Sequence, residues 1–337
     1  MTLTAASEFD APPAAAALRA AFGASPISSP APVTGGLSGA RLFRFEAEGR
    51  PWLLRLEGAR DDFRDPHRWH VCMKVAAEAG IAPALRYADA ESGVCIMAFV
   101  ESRPLAEGYS GSHPDMIAAA GTLVRRLHEA PAFPPLVDYM DGMGAVITQL
   151  AETGLLAPEA LQAELANYGA LDHACRRLKP ELASSHNDLN PRNILDDGRR
   201  LWLVDWESSF LADRYVDLAS LANWLTRDER ELSILTEAYF GRAPHQAEAA
   251  RLFLARQVNH VFYGVMFLAG VAAERPGLSV QPPAKVANLG EIHQAMGAGH
   301  FELDPWEGRL TYGFARLREA RMNLESPRFA EAIRLAL

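Results

Sequence analysis

Residues 185–195 read Ser-His-Asn-Asp-Leu-Asn-Pro-Arg-Asn-Ile-Leu, residues 203–207 read Leu-Val-Asp-Trp-Glu, and this polar segment decides the fold expected for the chain. The first run contains an H-x-D-x-x-x-x-N pattern, formed by His186, Asp188 and Asn193. Between the runs, Asp196-Asp197-Gly198 favours a tight turn into a returning strand at residues 201–204. A hairpin of this length brings the Asn193 carboxamide and the Asp205 carboxylate to the same end, where they could share a hard cation such as Mg²⁺.

Length and composition are those of an ordinary globular protein. The 337 residues leave room for two cores, and a net charge of −9 argues against a nucleic-acid binder while it is compatible with a cationic small substrate. Three widely spaced cysteines argue against structural zinc and a disulfide framework, and they fit a reducing cytoplasm. The first thirteen residues do not resemble a signal peptide, and the longest apolar run, residues 260–273, is too short to span a bilayer. The sequence therefore predicts a cytoplasmic protein with no nucleic-acid partner and no membrane insertion.

The N-terminal part has the pattern of a small antiparallel sheet. A short helix is expected at residues 14–22, and strands are expected at residues 41–45, 52–56, 81–85 and 94–100. A further helix is predicted between the two strand pairs, at residues 65–79. Arg55 is a cation between two leucines on its strand, so its side chain faces either a cleft or solvent.

Glycines precede the first of these hairpins, where residues 34–40 read Thr-Gly-Gly-Leu-Ser-Gly-Ala. Glycines let a backbone approach a ligand closely, and their N–H groups can surround phosphate oxygens. A plain turn between two strands uses the same residues. The segment matches neither G-x-G-x-x-G nor G-K-[ST], so alone it does not decide between the two roles.

Beyond residue 100 the sequence becomes helical. Residues 101–104 interrupt the sheet pattern, and apolar residues then recur at the helical period. Helices are predicted at residues 114–130, 158–178, 217–225, 229–240, 246–273 and 307–325. A small sheet followed by a helix-rich part favours a bilobal α+β enzyme, with one domain at residues 1–100 and the other at residues 101–337.

Taken with this order of elements, the polar segment resembles the aminoglycoside phosphotransferase and choline kinase superfamily, nearest its choline/ethanolamine kinase branch. The main match is His186-x-Asp188-x-x-x-x-Asn193 followed by Asp205-Trp206-Glu207. Weaker matches follow the same order along the chain, at Gly35-Gly36-Leu37-Ser38, Leu54-Arg55-Leu56, Leu123-x-x-x-Leu127-His128 and Asp213-Arg214-Tyr215-x-Asp217-Leu218-Ala219. The resemblance covers roughly residues 30–270. It implies a protein-kinase-like fold, with a small sheet lobe that covers a nucleotide and a larger helical lobe that carries the catalytic loop and the substrate site.

The resemblance also implies site residues for an ATP-dependent phosphotransferase, an enzyme that mainly positions reactants and neutralises charge. Asp188 would accept or orient the acceptor proton, and His186 would brace the catalytic loop. Mg²⁺ would be bound by Asn193 and Asp205, and Glu207, two positions further along a strand, would reach a second ion or the substrate. The implied nucleotide contacts are Gly35, Gly36, Ser38, Arg55, Met97, Ala98 and Val100, the last two through their backbone groups.

Two features depart from the pattern of kinase-like folds. These folds usually pair the phosphate-contacting cation with a glutamate on the next helix, but residues 64–77 contain no glutamate. Asp65 or His70 must then replace it, or the pair is absent. Arg55 also stands where lysine is more common, which gives a planar fork in place of a point charge. Both features leave open a non-catalytic nucleotide-binding pseudokinase, and a metal-dependent hydrolase is a third reading.

The expected acceptor is a small hydroxylated amine similar to choline or ethanolamine, with an aminoglycoside or thiamine kinase as the alternative. Aromatic faces bind ammonium groups. The late helices offer Trp306 and the pattern Gln257-x-x-His260-x-x-Tyr263, which resembles the helix that lines the substrate site in this superfamily. Aromatic residues on such helices also form cores, and the sequence leaves that alternative open.

Overall fold

The computed structural model describes residues 9, 11–33, 39–58, 60–61, 63–105 and 107–337. The chain divides into two compact units. Unit 1 takes residues 1–112, 123–136 and 183–211, and unit 2 takes residues 113–122, 137–182 and 212–337. The central polar segment therefore belongs to the same compact unit as the N-terminal residues. The functional boundary placed after residue 100 stays a prediction.

A five-stranded antiparallel sheet forms the N-terminal part of unit 1, as expected, in the order β1-β2-β3-β5-β4. Its strands are β1 (Ala31–Val33), β2 (Arg41–Ala47), β3 (Arg50–Leu56), β4 (Leu85–Asp89) and β5 (Val94–Ala98). A tight turn at Glu48-Gly49, with φ of 53° and 70°, joins β2 to β3 and sets Phe45 opposite Trp52. Helix α1 (Pro12–Phe22) covers one face, where the Phe22 ring lies 5.3 Å from the Trp52 ring.

The strand expected at residues 81–85 is wrong, because β4 begins at Leu85. Helix α2 (Pro66–Glu78) is followed by Gly80 with a φ of 67°, and the N–H groups of Ile81 and Ala82 both donate to the Ala76 carbonyl. These two residues therefore close the helix end instead of joining the sheet. Their side chains are buried, so the apolar run reports burial and not a strand.

A second sheet of unit 1 contains the predicted hairpin. Its strands are β6 (Arg103–Pro104), β8 (Ile194–Asp196) and β9 (Leu201–Leu203), in the order β6-β8-β9. The turn is fixed by Asp197, whose Oδ1 accepts the N–H groups of Arg199 and Arg200 at 2.8 Å each, and by Gly198 with a φ of 80°. The hairpin is thus confirmed, with a returning strand one residue shorter than predicted. Two more short strands, β7 (Leu182–Ser185) and β10 (Phe210–Asp213), pair with each other.

Helices make up most of the remaining chain. They are α3 (His113–His128), α4 (Tyr139–Glu152), α5 (Pro158–Glu164), α6 (Tyr168–Arg177), α7 (Tyr215–Leu225), α8 (Glu229–Phe240), α9 (Gln246–Glu274), α10 (Leu289–Gly297), α11 (Trp306–Glu325) and α12 (Pro327–Ala336). The single helix predicted at residues 158–178 is wrong. Asn167 adopts a left-handed conformation with a φ of 67°, which separates α5 from α6.

The core of unit 2 is built on α9 and α11, which approach each other closely at glycines. A methyl group added at Gly264 of α9 would lie 2.7 Å from Cδ2 of the buried Leu317 of α11. Small residues at such a crossing let two helices pack at short distance. In the part of the chain that the structure describes, no helix has the length and apolarity needed to cross a membrane.

Candidate active site

The hairpin of unit 1 brings the two residues predicted to bind a metal to the same end. The β8–β9 ladder pairs Ile194 with Leu203, and one step further the Val204 N–H donates to the Asn193 carbonyl at 3.0 Å. Asp205 follows directly, in a left-handed conformation with a φ of 68°. The strand therefore ends before Asp205, and the expectation that Asp205 and Glu207 share one face of a strand is wrong. The left-handed residue turns the chain out of the ladder.

Asp188 is held by two side-chain amides. Its Oδ2 accepts the Nδ2–H groups of Asn193 at 2.9 Å and of Asn190 at 3.1 Å. Asn190 also caps the short 3₁₀ turn at Pro191–Asn193, since its Oδ1 accepts the Arg192 N–H at 2.9 Å. Sequence reasoning missed Asn190, although an Asn before a Pro is a common capping signal. The two amides fix the direction of the carboxylate.

His186 connects the two halves of the central segment. Its ring is fully buried, lies 4.8 Å from the Trp206 ring, and its Nε2 is 2.9 Å from the Val204 carbonyl. Because a carbonyl can only accept, Nε2 carries the proton in this contact. The contact anchors the residue next to Asp205 to the loop that carries Asp188, which is the arrangement of a brace.

Arg55 of β3 is buried, so the solvent-facing alternative for this cation is wrong. Three carboxylates lie within ion-pair distance of its guanidinium. Asp205 Oδ1 is 3.6 Å from Nη1, Glu57 Oε1 is 3.8 Å from Nη2, and Glu207 Oε1 also contacts Nη2. The phosphate-contacting cation predicted from the sequence therefore lies beside the residue predicted to bind the metal.

Helix α2 contacts this cation through an aromatic ring. The Trp69 ring centre is 5.2 Å from Arg55 Cζ. Neither candidate for the missing glutamate has an ion pair with Arg55 among the described residues: Asp65 caps α2 by accepting the His67 N–H at 2.9 Å, and the His70 ring packs 4.0 Å from the Trp69 ring. Burial, together with the charge of Arg55, lowers the pKa of His70 to about 4. Sequence reasoning missed Trp69 because a tryptophan at helical spacing resembles a core residue.

Arg68 joins the same helix to the segment after Asp205. Its Nη2 donates to the Glu207 carbonyl at 2.5 Å and also to the Phe63 carbonyl. Burial lowers the pKa of this guanidinium. Cys72, one helical turn later, contributes a contact of 3.4 Å from its Sγ to the Ser209 carbonyl. Helix α2 and residues 207–209 are thereby connected inside unit 1.

The residues predicted to contact the nucleotide fall into two groups. Gly35, Gly36 and Ser38 lie outside the described residues. Met97 and Ala98 end β5, where the Ala98 N–H donates to the Ala84 carbonyl at 2.8 Å and the Val100 carbonyl accepts the Ser102 hydroxyl at 3.1 Å. Met97 also lines a small cavity of about 20 Å³, together with Arg55 and Asp205.

The residues predicted to bind the acceptor lie in unit 2, and two of them surround a buried cation. Arg316 is fully buried, with Cζ 5.3 Å from the Tyr263 ring centre and Nη1 3.1 Å from Nδ1 of His260. Its Nε and Nη2 donate to the Tyr312 hydroxyl. Burial, and next the charge of Arg316, lower the pKa of His260 well below its ordinary value, so this ring is neutral.

Trp306, the third residue predicted to bind the acceptor, contacts a different cation. Arg275 Cζ lies 5.3 Å from its ring centre. Its neighbours in the chain, Pro305 and Glu307, line an open pocket of about 400 Å³ together with Phe301 and Glu302. This pocket therefore combines an aromatic side chain with two carboxylates.

Comparisons of the sequence and of the structure show which known proteins the chain resembles. The sequence profile of the phosphotransferase enzyme family matches residues 30–253. A search of curated protein sequences gives no significant match.

Three solved structures illustrate the likeness. A choline/ethanolamine kinase family protein from Mesorhizobium loti is 22% identical over 91% of this chain and 92% of that chain, with a TM-score of 0.65. Choline kinase LicA from Streptococcus pneumoniae is 15% identical over 89% and 92%, with a TM-score of 0.58. Macrolide 2'-phosphotransferase MphH from Brachybacterium faecium is 20% identical over 80% and 97%, also with a TM-score of 0.58. The expected protein-kinase-like fold, with an N-terminal antiparallel sheet followed by helices, is confirmed.

Proposed function

Because the chain belongs to the phosphotransferase enzyme family and is a small-molecule phosphotransferase, we propose that it moves the γ-phosphate of ATP to a hydroxyl group of a small, amine-bearing acceptor of the choline or ethanolamine kind. One observation carries this proposal. The carboxylate of Asp188 is held by two side-chain amides, and one of these belongs to Asn193. The backbone of Asn193 in turn bonds to Val204, which directly precedes Asp205. A phosphotransferase needs this combination of an oriented carboxylate, which can accept the proton of the substrate hydroxyl, and a site that neutralises phosphate charge.

Asp188 is the proposed acceptor-facing residue. The amides of Asn190 and Asn193 keep its carboxylate in one orientation. It would hold the acceptor hydroxyl in line with the γ-phosphate and take its proton as the new P–O bond forms and the bond from the γ-phosphorus to ADP breaks, with ADP as the leaving group. His186 would act only through the loop, by tying it to Val204.

Asn193 and Asp205 are the proposed Mg²⁺ ligands, and the donor set fits the ion. Asp205 Oδ1 is buried and has no hydrogen-bond partner in the described structure. Asn193 uses its Nδ2 to hold Asp188, and neither of those bonds involves its carbonyl oxygen. Among the described residues no three His, Cys, Asp or Glu side chains gather as a metal site. Magnesium sites of kinases commonly combine one or two protein oxygens with substrate phosphates. When bound, the ion would offset phosphate charge.

Arg55 is the proposed contact for the α- and β-phosphates, and the end of β5 is the proposed edge for the adenine. Arg55, Met97 and Asp205 line the same small cavity, which supports placing the proposed phosphate contact, adenine edge and metal ligand close to one another. The glycine-rich sequence with Gly35, Gly36 and Ser38, which lies outside the described residues, is proposed to cover the phosphates. It is followed by Gly39, whose carbonyl lies 2.8 Å from the Cβ position of Gly58. Glu207 would reach a second ion or the substrate, in addition to its contact with Arg55.

The acceptor is proposed to bind through unit 2. Two of the similar structures are a choline kinase and a choline/ethanolamine kinase family protein, and a third is a macrolide phosphotransferase. The pocket with Phe301, Glu302 and Glu307 offers carboxylates and a ring to an ammonium group. His260 and Tyr263 would act on the acceptor indirectly, through Arg316, since both contact that side chain.

A substrate panel tests the proposal. The protein is incubated with Mg²⁺ and ATP plus choline, ethanolamine, thiamine or an aminoglycoside, and ADP release and product mass are followed. Turnover of choline or ethanolamine is expected, together with its loss in Asp188→Ala while nucleotide binding remains. Wild-type turnover in Asp188→Ala contradicts the proposed role of this residue. Turnover of thiamine or an aminoglycoside alone would replace the acceptor class, and nucleotide binding without turnover would favour the pseudokinase.

A further inference from the structure

The single positive charge of Arg55 is surrounded by three carboxylates. Only 10% of its side chain is exposed, and Glu57, Asp205 and Glu207 all lie within ion-pair distance. The proposed function uses two of these carboxylates elsewhere, since Asp205 would bind the metal and Glu207 would reach a second ion or the substrate. Glu57 has no part in that scheme. Its position on the chain, two residues after Arg55, puts it on the same side as the cation.

The Glu57 side chain is buried beside a cation. This side chain is 2% exposed, and Oε1 accepts the Gly58 N–H at 3.1 Å. Its Oε2 is buried and has no hydrogen-bond partner in the described part of the chain. A carboxylate taken out of water without compensation is costly, and Arg55 Nη2, 3.8 Å away, supplies a compensating charge.

Helix α2 contacts the guanidinium through an uncharged aromatic ring. The buried Trp69 ring lies 5.2 Å from Arg55 Cζ, and the acid within α2 itself, Glu78, pairs with Lys74 at 3.8 Å at the exposed helix end. A planar guanidinium stacks on an aromatic face, which a lysine ammonium does less well. The arginine at position 55 and the tryptophan at position 69 are therefore matched to each other.

We propose that Glu57 and Trp69 are positioning residues for Arg55, and that together they replace the strand–helix ion pair of kinase-like folds. Trp69 provides the surface on which the guanidinium lies, and Glu57 fixes which way its Nη2 edge points. This inference rests on the proposed function, because it assigns Arg55 to the phosphates of a nucleotide. It adds two residues that act through Arg55 and do not touch the nucleotide.

Calorimetric titration of Glu57→Gln with adenosine, ADP and ATP in Mg²⁺ tests the inference. The glutamine keeps an acceptor for the Gly58 N–H and removes the charge. We expect the dissociation constants of ADP and ATP to rise about tenfold or more, because a misoriented Arg55 contacts the phosphates less well. The dissociation constant of adenosine, which has no phosphate, should stay unchanged. A purely structural role would weaken adenosine binding as well. Glu78→Gln, at the exposed end of α2, is the matched control and should bind all three ligands as the wild type does.

A double-mutant cycle shows whether the effect passes through Arg55. In an Arg55→Ala background, Glu57→Gln should cause no further loss of ATP affinity. Trp69→Phe should retain most of the ATP affinity, whereas Trp69→Leu should lose about threefold or more. Unchanged ATP affinity in Glu57→Gln, or a full additional loss in the Arg55→Ala background, overturns the inference while leaving the proposed function intact. If the wild-type protein binds adenosine but neither ADP nor ATP, the proposed function fails first.

Discussion

The side-chain amide of Asn193 donates to two oxygens of Asp188, the backbone carbonyl and Oδ2, each at 2.9 Å. The residue proposed to bind the metal therefore also orients the residue proposed to face the acceptor. The two proposed functions would use different atoms of one carboxamide, the nitrogen for Asp188 and the oxygen for the ion. The two functions can be separated by choosing substitutions that keep one atom and remove the other.

Asn193→Asp keeps an oxygen ligand and replaces the donor by a second carboxylate against Asp188. We expect Mg²⁺-dependent ATP binding to persist and kcat to fall by about 100-fold or more, because like charges repel and the orientation of Asp188 is lost. Calorimetry and steady-state kinetics measure the two effects separately. A kcat close to that of the wild type would contradict the double role of this amide.

Asn190→Ala removes the other amide and leaves the proposed metal ligands in place. We expect kcat to fall by about tenfold, the loss of one hydrogen bond to a charged group, with an unchanged nucleotide dissociation constant. Asn323→Ala, on α11 and bonded to Glu319 of its own helix, is the matched control. Equal kinetics in both variants would show that Asn190 serves only as the cap of the 3₁₀ turn.

Asp205→Ala should abolish the contribution of Mg²⁺ to ATP binding. In the wild type, ATP affinity measured with Mg²⁺ should exceed that measured with EDTA, because an ion held by Asp205 would offset the phosphate charge. In the variant the two affinities should coincide. A preserved magnesium effect would move the metal site away from Asp205.

Three histidines should make stability fall in mild acid: His70 and His260, which are buried, and His293, which is half-buried. Burial lowers the pKa of His70 to about 4 and of His293 to about 3, and that of His260 lies well below the ordinary 6.5. The unfolded chain binds these protons near pH 6.5, so the stabilisation is complete above that pH and is lost as the pH falls towards the folded values. Below about pH 6 the free energy of unfolding should fall by about 1.4 kcal/mol per pH unit for each histidine.

Urea unfolding at pH 7.5, 6.5 and 5.5 measures this slope. His293→Gln should remove about one third of it, one proton of three. His300→Gln, at an exposed position, is the matched control and should leave the slope unchanged. An unchanged slope in His293→Gln would show that this ring is protonated in the folded protein.

Two glycines of α9 should respond in opposite directions to alanine. At Gly264 the new methyl group would meet buried Leu317, so Gly264→Ala should lower the free energy of unfolding by about 1–3 kcal/mol. At Gly270 no heavy atom lies within 4 Å of the Cβ position, so Gly270→Ala should raise stability by about 0.5–1 kcal/mol through helix propensity. Urea unfolding checks both, and a neutral Gly264→Ala would mean that α9 and α11 can move apart freely.

The parts of the fold that the sequence predicted are those with local causes. The hairpin joining Asn193 to Asp205 follows from one turn signal and two short apolar runs, and α8 was predicted with its observed bounds. Helices α4 and α10 were missed although Asp138 and Asn288 cap them, because attention to apolar period alone passes over caps. The break at Asn167 depends on one left-handed residue, which a helical period does not reveal.

The surroundings of Arg55 could not be predicted, because they depend on contacts between distant positions. Glu207 follows the central motif, Trp69 looks like a core residue, and Glu57 looks like the start of a turn. Burial and charge make sense of them only when β3, α2 and the segment after β9 are seen together. Sequence reasoning correctly noted that the usual glutamate was missing, but it looked for a replacement on the helix alone.

Glu207 is held at both of its ends, by Arg55 at the carboxylate and by Arg68 at the backbone carbonyl. Substitution of Glu207 by alanine removes the side-chain contact with Arg55 but keeps the backbone carbonyl that accepts from Arg68. The measured effect would therefore report only one of the two contacts of this residue. The complementary information comes from position 68. Comparing Arg68→Met with Glu207→Ala would separate what the main chain contributes to the architecture of this segment from what the side chain contributes.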